Sequence, residues 1–313
     1  MTVPQAERRV TPRRADWARC SDLSVLREDP LAGTAGLGDR WLLVEIDGGW
    51  GRHAFLDSGL DPGIGRALVR RAEHAGIRPV AIRRFGRRAD ERRRQSRVQW
   101  MLADVRPGRE EIRGGVVADP AELLDVALDG SAGEPIDGPL ALVCTHARHD
   151  QCCAVRGRPV AAALAAAVPD RIWESSHLGG DRFAATMLVL PGGLLYGRVP
   201  AAAALDLVER AEERLVDPAL LRGRTCFAHT VQAAQAAVRA ETGETRIAAY
   251  APIAETGEGE DRIVTLSAEP SRRGSVRVRL RATWSEPLFS TCAATTATPV
   301  REWETVSIAW RDV

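Results

Sequence analysis

The sequence predicts an α/β fold in three parts: a smaller α/β unit over residues 1–135, a compact α/β domain over 136–218, and a helix followed by an antiparallel β tail over 219–313. Three patterns carry that prediction. Apolar runs of strand length alternate with helical periodicities as far as Leu215, and such alternation buries a sheet face beneath helices. A stretch rich in Gly, Pro and acids, Asp129 to Gly138, reads as a linker. From Thr245 onward apolar and charged residues alternate one by one, clearest at Val276, Val278 and Leu280 between Arg277, Arg279 and Arg281 and repeated at Val306, Ile308 and Trp310. That is the period of antiparallel strands.

Taken in order, Trp41 to Ile46 reads as a buried strand closed by the turn residues Asp47-Gly48-Gly49. Asp61 is placed to cap a helix with Pro62 at its first position, and Ile64, Leu68, Ala72 and Ala75 keep helical spacing until Gly76. Strands follow at Pro79 to Arg83 and Val98 to Val105. Beyond the linker come a strand from Pro139 to Val143, then Cys144 and a loop, and a helix beginning near Pro159. Strands over Ala184 to Leu190 and Leu194 to Val199 flank a Pro191-Gly192-Gly193 turn suited to a hairpin, and a helix runs from Pro200 to Leu215. Strand, helix, strand, hairpin, helix is the order a thioredoxin-like domain needs. Cys226-Phe227-Ala228-His229 then opens a helix toward Thr242.

At 313 residues the chain can build more than one hydrophobic core, and 45% hydrophobic with 27% charged residues places it among globular proteins. Every one of its 43 basic residues is Arg, yet the net charge is only +1, which gives no overall bias toward nucleic acid or membrane. Met1 to Ala18 lacks the apolar stretch of a secretory signal, and the longest apolar run, Val160 to Val168, falls far short of the ~20 residues of a spanning helix. A cytoplasmic location is expected. Six cysteines in a reducing compartment point away from a disulfide framework and toward metal binding or redox chemistry.

One charge run stands out, Arg83 to Arg97, eight of whose residues are Arg. It reads as a solvated loop and, in functional terms, as a dock for an acidic redox partner or a polyanion.

The chemistry concentrates in Cys144-Thr145-His146-Ala147-Arg148-His149-Asp150-Gln151-Cys152-Cys153, three thiols and two imidazoles just after a strand. Thiolates are the preferred ligands of zinc and of iron-sulfur centres, and a loop at a strand end can aim them at one point. Downstream, Ser175-Ser176-His177-Leu178-Gly179-Gly180-Asp181 places an imidazole and a carboxylate about a glycine pair that interrupts any helix and lets the backbone approach a bulky group. Cys20 and Cys226 lie far from this region and read as small buried residues; His53, His74 and His229 read as ordinary.

Cys144 and Cys153, separated by eight residues and followed by His177-Leu178-Gly179-Gly180-Asp181, resemble the sucrase/ferredoxin-like family, whose pattern is two cysteines so spaced and then His-x-Gly-Gly-His. Weaker likeness extends through Cys20-Ser21-Asp22, Asp29 to Ala35, the Trp41 strand and Arg156-Gly157-Arg158-Pro159. The resemblance implies a thioredoxin-like ferredoxin carrying a [2Fe-2S] cluster, an electron carrier rather than a stand-alone enzyme, with Cys144 and Cys153 on one iron and His177 on the other. Asp181 departs from the pattern and is the favoured fourth ligand, with Cys292, Cys152 and His149 as alternatives. A carboxylate is a harder ligand than the imidazole it replaces.

A rival reading is a structural zinc site built from Cys144, His146 or His149, Cys153 and His177, which would make an interaction module of the same loop. Its first cysteine pair is spaced more widely than in zinc knuckles. A thiol oxidoreductase using Cys152 or Cys153 with His149 ranks below both, and no carboxylate pair stands in a glycosidase setting.

Overall fold

Strand β1 (Arg40–Glu45) shows how the main sheet is used: Trp41 and Leu43 join one buried cluster, while Leu42 and Val44 join another on the opposite face. Successive strand side chains face opposite ways, so a strand apolar throughout has to be covered on both sides. In the computed structural model, which describes residues 18–86, 97–269 and 273–311, that is what surrounds it.

The N-terminal part runs α1 (Cys20–Leu26), β1, α2 (Pro62–His74), β2 (Arg78–Arg83), β3 (Val98–Asp104), β4 (Glu111–Val117) and β5 (Glu134–Pro135). The predicted cap is in place, with the Asp61 carboxylate accepting from the backbone N–H of Gly63 and Ile64. Strand β1 is parallel to β2 across the α2 crossover and antiparallel to β3, while β4 and β5 extend that edge.

The next part runs β6 (Leu140–Cys144), α3 (Gln151–Ala167), β7 (Ile172–Ser175), β8 (Met187–Leu190), β9 (Leu194–Tyr196) and α4 (Ala204–Glu212). Strand β6 is parallel to β7 and antiparallel to β8, and β8 to β9. The spatial order of these strands is β9-β8-β6-β7. Strand β7 also pairs with β2, through Ile82–Ser175 and Arg83–Glu174, so a single sheet of ten strands crosses from residues before 135 to those after it.

The helix expected near Pro159 begins instead at Gln151, with Pro159 inside it. An interior proline forfeits a backbone hydrogen bond and costs about 3 kcal/mol. Against that cost, Val160, Ala161 and Leu164 are buried on Ala141 and Val143 of β6. Asp150 caps the early start, its Oδ1 accepting from Cys152 N at 2.7 Å. Cys152 and Cys153 therefore sit on the first turn of a helix rather than in a loop.

Strand β10 (Leu221–Arg224) completes the ten-stranded sheet at its far edge, and α5 (His229–Thr242) follows. The tail is a four-stranded antiparallel sheet of β11 (Pro252–Thr256), β12 (Asp261–Ser267), β13 (Ser275–Trp284) and β14 (Arg301–Arg311). Val231, Ala234 and Val238 of α5 are buried against Val276, Val278 and Leu280, as the alternation predicts. Val306 breaks the pattern. The register of β14 slips between Thr305 and Ser307, and the bulge leaves Val306 unpaired and 43% exposed.

Among the described residues no helix is long and apolar enough to cross a membrane. Of the basic run, Arg83 bonds Glu174 and the Gly48 carbonyl, and Arg84 lies over the Trp173 ring and bonds the Pro169 and Asp170 carbonyls. Residues 87–96 of the proposed docking run, like 1–17, lie outside the described residues.

Candidate metal centre

Cys144 ends β6 and Cys153 lies on the first turn of α3, both 1% exposed. Gly157 brings the helix this close, because a Cβ there would collide with the Cys144 carbonyl. Neighbours on a helix diverge by about 100°. Cys153 accordingly faces Cys144 while Cys152 faces away, toward Cys20 and Cys292.

His177 reaches the thiols from the loop after β7. Gly179 and Gly180 hold φ of +98° and +78°, a region natural to glycine, and fold Asp181 back beneath the imidazole. Asp181 is 2% exposed, and its Oδ1 lies 2.9 Å from His177 Nδ1 and accepts from Cys153 Sγ at 3.1 Å. Donor atoms of Cys144, Cys153 and His177 lie within 4.8 Å of one another, as do those of His149, His177 and Asp181. The His149 and His177 rings stack with centroids 3.7 Å apart, and both are only partly buried. The imidazole pair is the solvent-facing edge of an otherwise buried site.

Charge is arranged around this point. Burial pushes the Asp181 carboxyl up, but the hydrogen bond and charge of His177 outweigh it and hold Asp181 below its ordinary value. Burial likewise pushes His177 down, and Asp181 more than reverses it, leaving the imidazole above its usual range. The interaction between the two thiols draws Cys144 below the ordinary thiol value and, with burial, raises Cys153. His146 and His149 are both lowered by burial.

Two arginines that the sequence did not single out stand beside the site. Arg222, 2% exposed, donates to the Gly179 carbonyl at 2.7 Å and to Thr34 Oγ1 at 3.0 Å, in space left by the missing Cβ of Gly180. Burial lowers it to about 9, with the charges of Asp181 and Cys153 opposing that fall, so it stays protonated at neutral pH. Arg78 donates to the Leu178 carbonyl at 3.0 Å and interacts with Cys144. Neither lies near the cysteine loop in sequence, and no local motif marks them.

Of the predicted site residues, Cys144, Cys153, His177 and Asp181 come together, with His149 alongside. Cys152 and Cys292 do not join them; they group with Cys20 and Asp150. His146 turns away, its Nε2 2.7 Å from the Gly51 carbonyl. Cys226 packs against the main core and His229 Nε2 lies 3.1 Å from the Ala35 carbonyl. Arg182, next to Asp181 in sequence, pairs with Asp29 at 3.3 Å.

Buried hydroxyls flank Cys144 without a hydrogen-bond partner: Thr145 Oγ1 beside it, Ser175 Oγ on the paired strand, and Thr186 Oγ1, whose backbone carbonyl accepts from Cys144 N. Unpartnered buried hydroxyls are costly, and here they border the thiols.

A family model described as sucrase/ferredoxin-like matches residues 31–223, which include β1 through most of β10 and all four converging side chains. No curated protein and no solved structure matches the chain.

Proposed function

The chain belongs to the sucrase/ferredoxin-like family, and on that footing we propose that it is a one-electron carrier whose [2Fe-2S] cluster is held by Cys144, Cys153, His177 and Asp181. The observation that carries the reading is the meeting of two buried thiols and an imidazole on a buried carboxylate, from three separate elements of the thioredoxin-like unit. The donor set fits the group: thiols and imidazole are common iron-sulfur ligands, and the unpartnered hydroxyls of Thr145, Ser175 and Thr186 offer donors that a sulfide-rich group can accept. When bound, such a cluster supplies reversible one-electron chemistry.

The chain's own residues set the conditions for it. Burial of Cys144 and Cys153 excludes water from the thiol side, and the guanidinium groups of Arg222 and Arg78 supply positive charge that favours taking up an electron. An imidazole in place of a thiolate raises the potential, and the Asp181 carboxylate returns part of the lost negative charge. His149 and His177 form the edge at which a partner approaches. The proposed partner is acidic, docks on the Arg83–Arg97 side and meets the carrier in a reducing, cytoplasmic setting.

Iron and acid-labile sulfide analysis of anaerobically purified protein, with its visible spectrum, tests the proposal. We expect red-brown protein with bands that bleach under dithionite, lost in Cys144→Ser and Cys153→Ser and kept in Cys226→Ser. Colourless protein that resists anaerobic reconstitution and carries zinc removable by Cys144→Ser would overturn it in favour of a structural zinc site.

A further inference from the structure

Cys20, Cys152 and Cys292 come from three distant parts of the chain: the start of α1, the first turn of α3, and the irregular connection 285–300 between β13 and β14. Their sulfurs form a nearly equilateral triangle. Cys152 Sγ lies 3.2 Å from Cys292 Sγ and 3.5 Å from Cys20 Sγ, and Cys292 Sγ lies 3.5 Å from Cys20 Sγ. Asp150 stands over the triangle with Oδ2 3.8 Å from Cys20 Sγ, its carboxylate fixed by the backbone N–H of Cys152 at 2.7 Å and of Cys292 at 2.6 Å. All four donors lie within 4.8 Å of one another, and Cys20, Cys152 and Asp150 are at most 3% exposed.

Cysteines buried merely as small apolar residues have no reason to converge in threes on a carboxylate. A disulfide does not account for the arrangement either, since it draws two sulfurs to ~2.05 Å and leaves the third without a partner. A tetrahedral ion with thiolates at ~2.3 Å spaces them about 3.8 Å apart, a few tenths of an ångström beyond the triangle seen here. We propose that Cys20, Cys152, Cys292 and Asp150 form a second metal site, separate from the Cys144 centre, that takes a single thiophilic divalent ion, zinc. Three thiolates and one carboxylate suit that ion, and the N-terminal end of α3 favours the thiolate at Cys152. Cys20 and Cys292 lie outside the family-matched residues 31–223.

The ion has a structural task. A long connection without regular structure is uncommon in a compact fold unless something ties it down, and residues 285–300 form no helix or strand beyond the isolated Leu288–Thr298 bridge. Metal bound at Cys292 fastens that connection to α1 and to the helix turn that carries Cys153. Closing so long a loop is where a clip stabilises most.

Metal analysis of the full chain tests this independently of the iron reading. Wild-type protein is expected to carry about one zinc per chain, which Cys20→Ser and Cys292→Ser reduce at least tenfold and Cys144→Ser leaves unchanged. In the Cys144→Ser background, added cobalt is expected to give thiolate charge-transfer and tetrahedral d–d absorption that disappears when Cys292→Ser is added. Should Cys292→Ser fail to fold, the zinc content of Cys144→Ser decides. Wild-type protein that holds no zinc after growth with zinc and takes up no cobalt in the Cys144→Ser background overturns the proposal, as does a Cys152–Cys292 disulfide in anaerobically purified protein. Iron and sulfide can be absent while this site still fills, so the two failures are distinguishable.

Discussion

Gly180→Ala should cost several times the stability that Gly243→Ala costs, although both glycines have positive φ. At Gly243, which ends α5 with φ +71°, nothing lies within 4 Å of an added Cβ, so the substitution meets only the left-handed backbone penalty. That penalty is ~1–2 kcal/mol, partly offset by ~0.4–1 kcal/mol of entropy lost from the unfolded chain, leaving about 1 kcal/mol. At Gly180, φ +78°, the same strain applies and the Cβ also runs into the Arg222 guanidinium. Arg222 is buried and bonds Gly179 O and Thr34 Oγ1, so moving it breaks charge-assisted hydrogen bonds worth ~1.5–3 kcal/mol each. We expect a total near 4 kcal/mol. Urea unfolding of both variants, at matched metal content, measures the difference. A companion pair isolates its origin: in an Arg222→Met background, Gly180→Ala should fall back toward the Gly243→Ala cost. Equal losses at the two glycines, or no relief from Arg222→Met, would show that Arg222 does not hold the loop.

Other consequences are open to measurement. In metal-free protein, the stability that Asp181 gains from His177 should be fullest between the unfolded carboxyl and imidazole values, 3.8 and 6.5. The depressed Asp181 loses its share as pH falls through its folded value, and the raised His177 loses its share as pH rises through its own. Wild type minus Asp181→Asn, followed by denaturant midpoint against pH, should therefore peak in that window, and a flat difference would remove the pairing. Gln232→Leu should destabilise by about 3 kcal/mol in urea, because Gln232 accepts from Ala35 N and donates to the Ala35, Arg224 and Phe227 carbonyls in a buried setting. In iron-loaded protein, His177→Cys adds a negative ligand, so the reduction potential should fall and its pH dependence flatten; an unchanged electrochemical profile would take His177 out of the ligand set.

Where local chemistry settles a structure, the sequence was legible. Asp61 and Pro62 announced α2, the Val276-to-Leu280 alternation announced β13, and the His177-Leu178-Gly179-Gly180 segment announced a non-helical loop. Reading failed where tertiary packing overrode local preference. Pro159 looked like a helix start because prolines favour first turns, and only the burial of its neighbours on β6 and the Asp150 cap reveal the earlier beginning. Val306 kept its alternation in sequence but lost it to a bulge that no residue there signals. At the site, the candidate ligand types were visible because they sit in two short segments, whereas Arg222 and Arg78 arrive from strands that nothing in the sequence connects to it.

The pairing of β2 with β7 bears on how small this protein can be made. Ser176 exchanges hydrogen bonds with Ala81 through its backbone N–H, 2.8 Å, and its hydroxyl, 3.1 Å, and Arg78 holds Leu178, so the His177 loop is tethered to a strand outside the thioredoxin-like unit. A fragment trimmed to residues 136–218 would keep all four side chains of the centre, yet it would bare the β7 edge to pairing with other chains. It would also free the loop that presents the imidazole and the carboxylate. The smallest fragment that keeps the His177 loop tethered extends back through β2.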